Sequence, residues 1–325
     1  MTRWALIALI CLAIILSRGA TTSAPTKSPA TEPSAKTRPD WGLYQILWRS
    51  SRYGDMLDRE IARFPTSPRY VMFYRDLGRG FPSEVATAIH ERGATPIVSM
   101  ELWRWHDRRP ALDRINAGDF DDYFRGWARD ARDYDHEVLL RFGFEFNGDW
   151  FSWGGDPIAF VTAWRRAWTL FQEEGATNVK WVWAANNQSC PDTPANAMSN
   201  YFPGAEYVDW LAIDGYNFGP NHDQWHKWES FDAVFGKCLD TIERLDPHMP
   251  IMLAEVGCAP GENSKRCDWI RDAFERITQN HPRIRAVVWF NYDKSREGEP
   301  NWRVDEDDGS LAAFAETFAA PPNTN

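Results

Sequence analysis

Two glutamates stand directly after short apolar runs, one closing Arg141-Phe142-Gly143-Phe144-Glu145 and the other Ile251-Met252-Leu253-Ala254-Glu255. Short apolar runs bounded by turn residues read as strands, and side chains alternate faces along a strand. Arg141, Gly143 and Glu145 then share one face. Phe142, Phe144 and Phe146 share the other, packed against whatever covers the sheet. Ile251, Leu253 and Glu255 form a matching set. Two carboxylates in phase at one rim can divide a reaction between them. One gives a proton to a leaving oxygen, and the other attacks the carbon that the oxygen leaves. That is the minimum equipment for cutting a glycosidic bond. Alone, each glutamate could be a surface residue or half of an ion pair; both in phase favour catalysis. The donor must keep its proton at neutral pH and the attacking group must be ionised, so their pKa values are expected to be driven apart. Arg141 needs a carboxylate partner inside a fold, and Glu255 or Glu101 could supply it. Tyr216 follows Ile213-Asp214-Gly215 and could hold a carboxylate ionised by hydrogen bonding, or be a plain rim aromatic. Trp289 could form a floor under a sugar ring, or be an ordinary interior side chain.

These residues need elements to carry them. The candidate strands are 42–48, 70–74, 95–100, 137–144, 180–184, 208–213, 250–254 and 285–290. Helical patterns lie between them. The clearest covers Asp156 to Glu174, with Asp156 as cap, Pro157 in the first turn, Val161, Trp164, Trp168 and Phe171 on one face, and Gly175 as stop. Others run from Phe120 to Tyr134 and over Leu311–Phe318. Eight strands alternating with helical segments predict an α/β fold, a closed (β/α)8 TIM barrel forming a single domain over residues 41–320. Its active site is expected at the C-terminal ends of the strands, where Glu145 and Glu255 lie. No glycine-rich nucleotide fingerprint follows any strand, which weighs against a doubly wound sheet.

The chain has 325 residues, 43% of them hydrophobic, which suits one large core. A net charge of −10 argues against a nucleic-acid partner. The 18 tryptophans are the compositional outlier; some belong to the core and some suit stacking on sugar rings. Arg3 precedes an apolar run from Trp4 to Leu16, too short for the roughly 20 residues of a membrane span but suited to a signal peptide over 1–19. The expectation is a secreted or extracytoplasmic protein, with an N-terminal membrane anchor as the alternative. Residues 20–40 are rich in Ser, Thr and Pro and read as a linker. Cys190, Cys238, Cys258 and Cys267 would remain after export, and an even number suggests disulfides. Cys258–Cys267 is the favoured pair, with Cys190–Cys238 as its complement. No zinc-ligand spacing is present, so neither metal nor cofactor is expected. No protein partner is implied.

Several segments together resemble glycoside hydrolase family 26, the β-mannanases and mixed-linkage β-glucanases. They are RFGFEFNGDWFSWGG (141–155), PIVSMELW (96–103), NVKWVWAAN (178–186), YFPGAEYVDWLAIDGYN (201–217), MLAEVG (252–257), VVWFNYDK (287–294) and NWRVD (301–305). The similarity covers most of residues 41–318 in order. It implies a retaining barrel enzyme with Glu145 as acid/base, Glu255 as nucleophile, Tyr216 touching the nucleophile and Trp289 as the aromatic platform. It also implies substrate contacts from Trp150 and Trp153, and the matched segments add Trp103, Asn147, Asn186, Asp214 and Trp302. The family usually has His before the acid/base glutamate, where this chain has Phe144. The implied activity is an endo-acting β-glycanase on a polysaccharide, first β-1,4-mannan. The alternatives are an endo-β-1,3-1,4-glucanase, an exopolysaccharide-trimming hydrolase, or a non-catalytic polysaccharide-binding protein.

Overall fold

The computed structural model describes residues 38–47, 52–220, 222 and 226–319. The expected signal segment and most of the expected linker lie outside the described residues. Eight parallel strands close into one barrel in chain order. They are β1 (Asp40–Tyr44), β2 (Tyr70–Asp76), β3 (Thr95–Glu101), β4 (Val138–Phe142), β5 (Val179–Asn186), β6 (Trp210–Asn217), β7 (Ile251–Cys258) and β8 (Ile284–Trp289). Every expected strand is present. β1 begins at Asp40, inside the segment read as linker, and ends at Tyr44, so the expected 42–48 is displaced toward the C-terminus.

Helices α1 (Tyr53–Ile61), α2 (Ser83–His90), α3 (Leu112–Ala117), α4 (Asp121–Tyr134), α5 (Pro157–Glu173), α6 (Phe231–Leu245), α7 (Lys265–Asn280) and α8 (Asp308–Thr317) cover the outside. α5 starts where its sequence says it should. Asp156 accepts a hydrogen bond from the Ala159 N–H at 2.9 Å, and Pro157 opens the first turn. Its buried stripe is Phe160, Ala163, Trp164, Ala167, Leu170 and Phe171; Val161 and Trp168 sit at the edge of it. Between β5 and β6 there is no full helix among the described residues, only single turns at Pro194–Asn196, Met198–Tyr201 and Ala205–Tyr207.

The strands are buried on both faces, as parallel strands under helices must be. Outside, Phe142 of β4 meets Phe124 of α4 and Trp164 of α5. Inside, Met72, Ser99, Arg141, Asp214 and Glu255 come from five different strands. Ser99 pairs in register with Arg141, and Asp214 with Glu255. The barrel interior is therefore polar toward its C-terminal mouth.

All four described cysteines are free thiols, and neither expected disulfide is present. The Cys258 thiol turns inward to Asn217 and the Ala259 carbonyl, while Cys267 faces Gly309 at the start of α8. Cys238 is buried on α6, and Cys190 is exposed in a loop. An even count of cysteines carries no information about which thiols face each other.

Candidate active site

In β7, Leu253 pairs with Ile213 and Glu255 with Asp214, so Ala254 is an extra residue and the expected alternation from Leu253 to Glu255 is broken. Just after that bulge the strand delivers Glu255, 4% exposed. Both of its oxygens are occupied. Oε1 accepts from the Tyr74 hydroxyl at 2.7 Å and from Arg141 Nη1 at 2.8 Å; Oε2 accepts from the Tyr216 hydroxyl at 2.5 Å. Arg141 is completely buried and reaches Ser99 at 2.8 Å and Asp214 with its other arm. Burial alone would pull the guanidinium down, but the charges of Asp214 and Glu255 outweigh it and leave it more firmly protonated than usual. Burial pushes the Tyr74 and Tyr216 hydroxyls well up, and the neighbouring Glu255 charge adds to it. Both phenols therefore stay protonated as donors. Burial also pushes the Asp214 carboxyl well above its ordinary range against the pull of Arg141, with the charges of Glu255 and Glu145 adding to the rise.

Glu145 reaches the same mouth by a different route. β4 ends at Phe142, and the chain then turns through positive φ at Gly143 (58°) and Glu145 (50°). Gly143 is required there: a Cβ would stand 2.7 Å from Leu102, in a conformation L side chains avoid. Glu145 itself carries that backbone cost. Its N–H is anchored to the Ala184 carbonyl at 2.9 Å, and its Oε2 accepts from the Trp150 indole at 2.7 Å. The indole lies flat over Gly148, where a Cβ would collide at 2.4 Å. Burial, then the charge of Glu255, raises the Glu145 pKa to about 8; the Trp150 hydrogen bond and Arg141 oppose the rise. Glu145, Asp214 and Glu255 each bring a carboxylate oxygen within 4.8 Å of the others. Arg141 supplies the positive charge among them, bonded to two of the three.

The expected alternation fails at Phe144. Its ring lies 4.7 Å from the Arg141 guanidinium and 5.3 Å from Tyr74, so it faces the barrel interior and not the outer helices. The positive φ at Gly143 ends the strand's two-residue period. Phe142 and Phe146 do pack outward, the latter against Phe160 and Trp183. Trp289 is a second correction. It is fully buried, its ring meets Trp269 of α7 and Phe314 of α8, and its N–H goes to the Trp302 carbonyl. The interior aromatic of that segment is Phe290, stacked on Tyr44 at 4.4 Å and 5.7 Å from Tyr216. Arg141 takes Glu255, not Glu101, as partner; Glu101 accepts from the Trp105 indole.

Of the other expected substrate contacts, Trp150 is open to solvent at 44% exposure, and Asn186 is half-buried at the end of β5. Asp214 is buried beneath the mouth, bonded to Arg141. Asn147 is buried and spent on the backbone of Asn186, accepting at 2.8 Å and donating at 2.9 Å. Trp153 is buried and donates to the Phe144 carbonyl, and Trp103 packs on it at 5.0 Å. Trp302 is buried against Tyr216 at 4.8 Å. These four hold the mouth in shape from behind. Sequence reasoning missed Tyr74, Ser99 and Met72. Tyr74 lies at the C-terminal end of an expected strand, the position that singled out the glutamates, and its aromatic ring read as core.

Residues 113–239 match the family model described as glycosyl hydrolase family 26. Endoglucanase H of Acetivibrio thermocellus is 33% identical over 245 residues, 72% of this chain and 25% of that protein. The chain belongs to glycosyl hydrolase family 26. Mannan endo-1,4-beta-mannosidase A and B of Caldalkalibacillus mannanilyticus is 33% identical over 165 residues, 47% of this chain and 28% of that one. The family 26 barrel described above thus spans about a quarter of the length of these two relatives. Its fold is also that of a Bacillus subtilis mannanase, with a TM-score of 0.60 at 16% identity and 86% of each chain covered.

Proposed function

We propose that this barrel is a retaining, endo-acting β-glycanase with Glu145 as general acid/base and Glu255 as nucleophile. The observation that carries the proposal is a carboxyl pair in one mouth, an oxygen of each within 4.8 Å, with the Glu145 pKa raised to about 8 and three donors on Glu255. Retaining pairs stand about 5–5.5 Å apart, whereas inverting pairs need room for a water at about 6.5–9.5 Å. A Glu255 oxygen forms a bond to the anomeric carbon while the glycosidic C–O bond breaks. The bonding pair stays on the leaving oxygen, which takes the proton of Glu145. Glu145, now a carboxylate, draws a proton from water as that water attacks the same carbon and frees Glu255. Tyr74, Tyr216 and Arg141 hold the nucleophile in position by hydrogen bonding.

β-1,4-Mannan is the first substrate proposed, supported by the mannosidase relative. A β-glucan is the second, supported by the longer match to an endoglucanase. The test is digestion of mannan, glucomannan and mixed-linkage β-glucan with product sizing and proton NMR of the first anomer formed. Oligosaccharides of mixed length appearing first as the β-anomer are expected. A first product of α configuration overturns the retaining assignment, and clean binding without cleavage makes the barrel a polysaccharide-binding protein.

A further inference from the structure

The hydrogen bonds of Glu255 are unevenly divided between its two oxygens. An ionised carboxylate offers about four lone-pair sites, two on each oxygen. Oε1 receives two donors, the Tyr74 hydroxyl at 2.7 Å and Arg141 Nη1 at 2.8 Å. Among the described residues Oε2 receives one, the Tyr216 hydroxyl at 2.5 Å. The lone-pair site that these three donors leave is on Oε2.

We propose that Tyr74 is a positioning residue that, with Arg141, saturates one oxygen of Glu255 and so assigns attack to the oxygen beside Tyr216. This rests on the proposed role of Glu255 and deepens it. Tyr74 is built for the task. Its ring lies between Tyr44 at 5.1 Å and Phe144 at 5.3 Å, which leaves the hydroxyl little freedom to swing away. Phe144 in turn lies over the Arg141 guanidinium at 4.7 Å. One ring therefore braces both donors of the saturated oxygen. Attack from Oε2 forms the C–O bond at the open lone pair. The carbonyl character of the resulting ester settles on Oε1, where two donors wait for it. Attack from Oε1 would break one of those two bonds first.

Two measurements test this. The first traps the wild-type full chain with an activated 2-deoxy-2-fluoro glycoside of a sugar it cleaves, and locates the ester in a crystal structure. The ester oxygen should lie beside Tyr216 and the carbonyl oxygen should keep Tyr74 and Arg141; an ester through the Tyr74-side oxygen overturns the proposal. The second uses Tyr74→Phe, which deletes only the hydroxyl. Carbon-13 NMR should show the Glu255 carboxyl resonance moved from its wild-type position, because one of the two donors to Oε1 is gone. In kinetics kcat should fall while KM stays in place. Tyr134→Phe, whose hydroxyl bonds the Ala86 carbonyl within α2, should change neither. A Glu255 carboxyl resonance in Tyr74→Phe identical to wild type overturns the role of Tyr74. The NMR measurement needs no turnover, so it decides the matter even if no β-glycan is cleaved and the proposed function falls.

Discussion

Just past the end of β4, Glu145 has one hydrogen-bond donor among the described residues, an indole N–H, and a pKa raised to about 8 by burial and a neighbouring charge. Near the end of β7, Glu255 has three such donors, one of them a buried guanidinium. The side chains are the same, and an oxygen of one lies within 4.8 Å of an oxygen of the other. The difference lies in the backbones that deliver them. A strand bulged just before it puts Glu255 down among partners from β2, β4 and β6. A left-handed turn lifts Glu145 to the rim, where its own loop offers the donor. The proposed acid and the proposed nucleophile are thus set apart by where each strand stops.

The largest test of that contrast is removal of each carboxylate in turn. Glu255→Ala should lose at least about 10⁴-fold in kcat on every substrate, because no glycosyl-enzyme forms. Glu145→Ala should lose about 10²–10⁴-fold on polysaccharide, the usual share of general acid–base catalysis. It should lose far less in the first step with an activated aryl glycoside, which departs without a proton, and azide should rescue the second step. The reverse pattern would exchange the two assignments.

A stability measurement comes next in size. Glu145 holds its proton in the folded state to about pH 8, against an ordinary value of 4.5. A raised folded pKa favours the folded state only while the unfolded chain is also protonated, so the contribution is complete below 4.5 and is lost as pH rises toward 8. Glu145→Gln removes that loss. It should stabilise the protein by about 3 kcal/mol at pH 7 and by almost nothing at pH 4. Chemical denaturation at both pH values checks it, and equal effects at the two would show that Glu145 is ordinary.

The smallest effect concerns Trp150. Its N–H favours the ionised form of Glu145, so its loss leaves burial less opposed. The basic limb of the wild-type rate profile should fall near pH 8, and Trp150→Phe should move it up by about one unit or less. Movement downward would mean that the indole supports the protonated acid.

All eight strands were legible because each is an apolar run ended by turn chemistry, and the two glutamates because each follows such a run, although a turn before Glu145 and a bulge before Glu255 break the phase that predicted them. The errors share one cause. In a parallel strand buried on both faces, apolar residues mark burial but not which face is inward. Trp289 was therefore assigned inward when Phe290 is the interior residue, a one-residue error of parity. Phe144 was assigned outward because nothing in its neighbours' types announces that Gly143 takes φ 58°. Glu145 arrived at the expected place by that turn and not by the alternation that predicted it. Asn147, Trp103, Trp153 and Trp302 lie in the right segments but behind the mouth, since a motif marks a neighbourhood and burial decides which of its members face solvent.

The left-handed backbone at Glu145 also bears on how such a protein changes over generations. Glycine or asparagine would sit more comfortably at φ 50°, and any neutral side chain would escape the cost of ionising in a dry pocket. Drift at this position runs downhill in free energy and uphill only in function. A copy released from the need to cut its substrate should lose Glu145 early while keeping its barrel, its tryptophans and its cleft. The glutamate persists in a lineage only as long as turnover is selected.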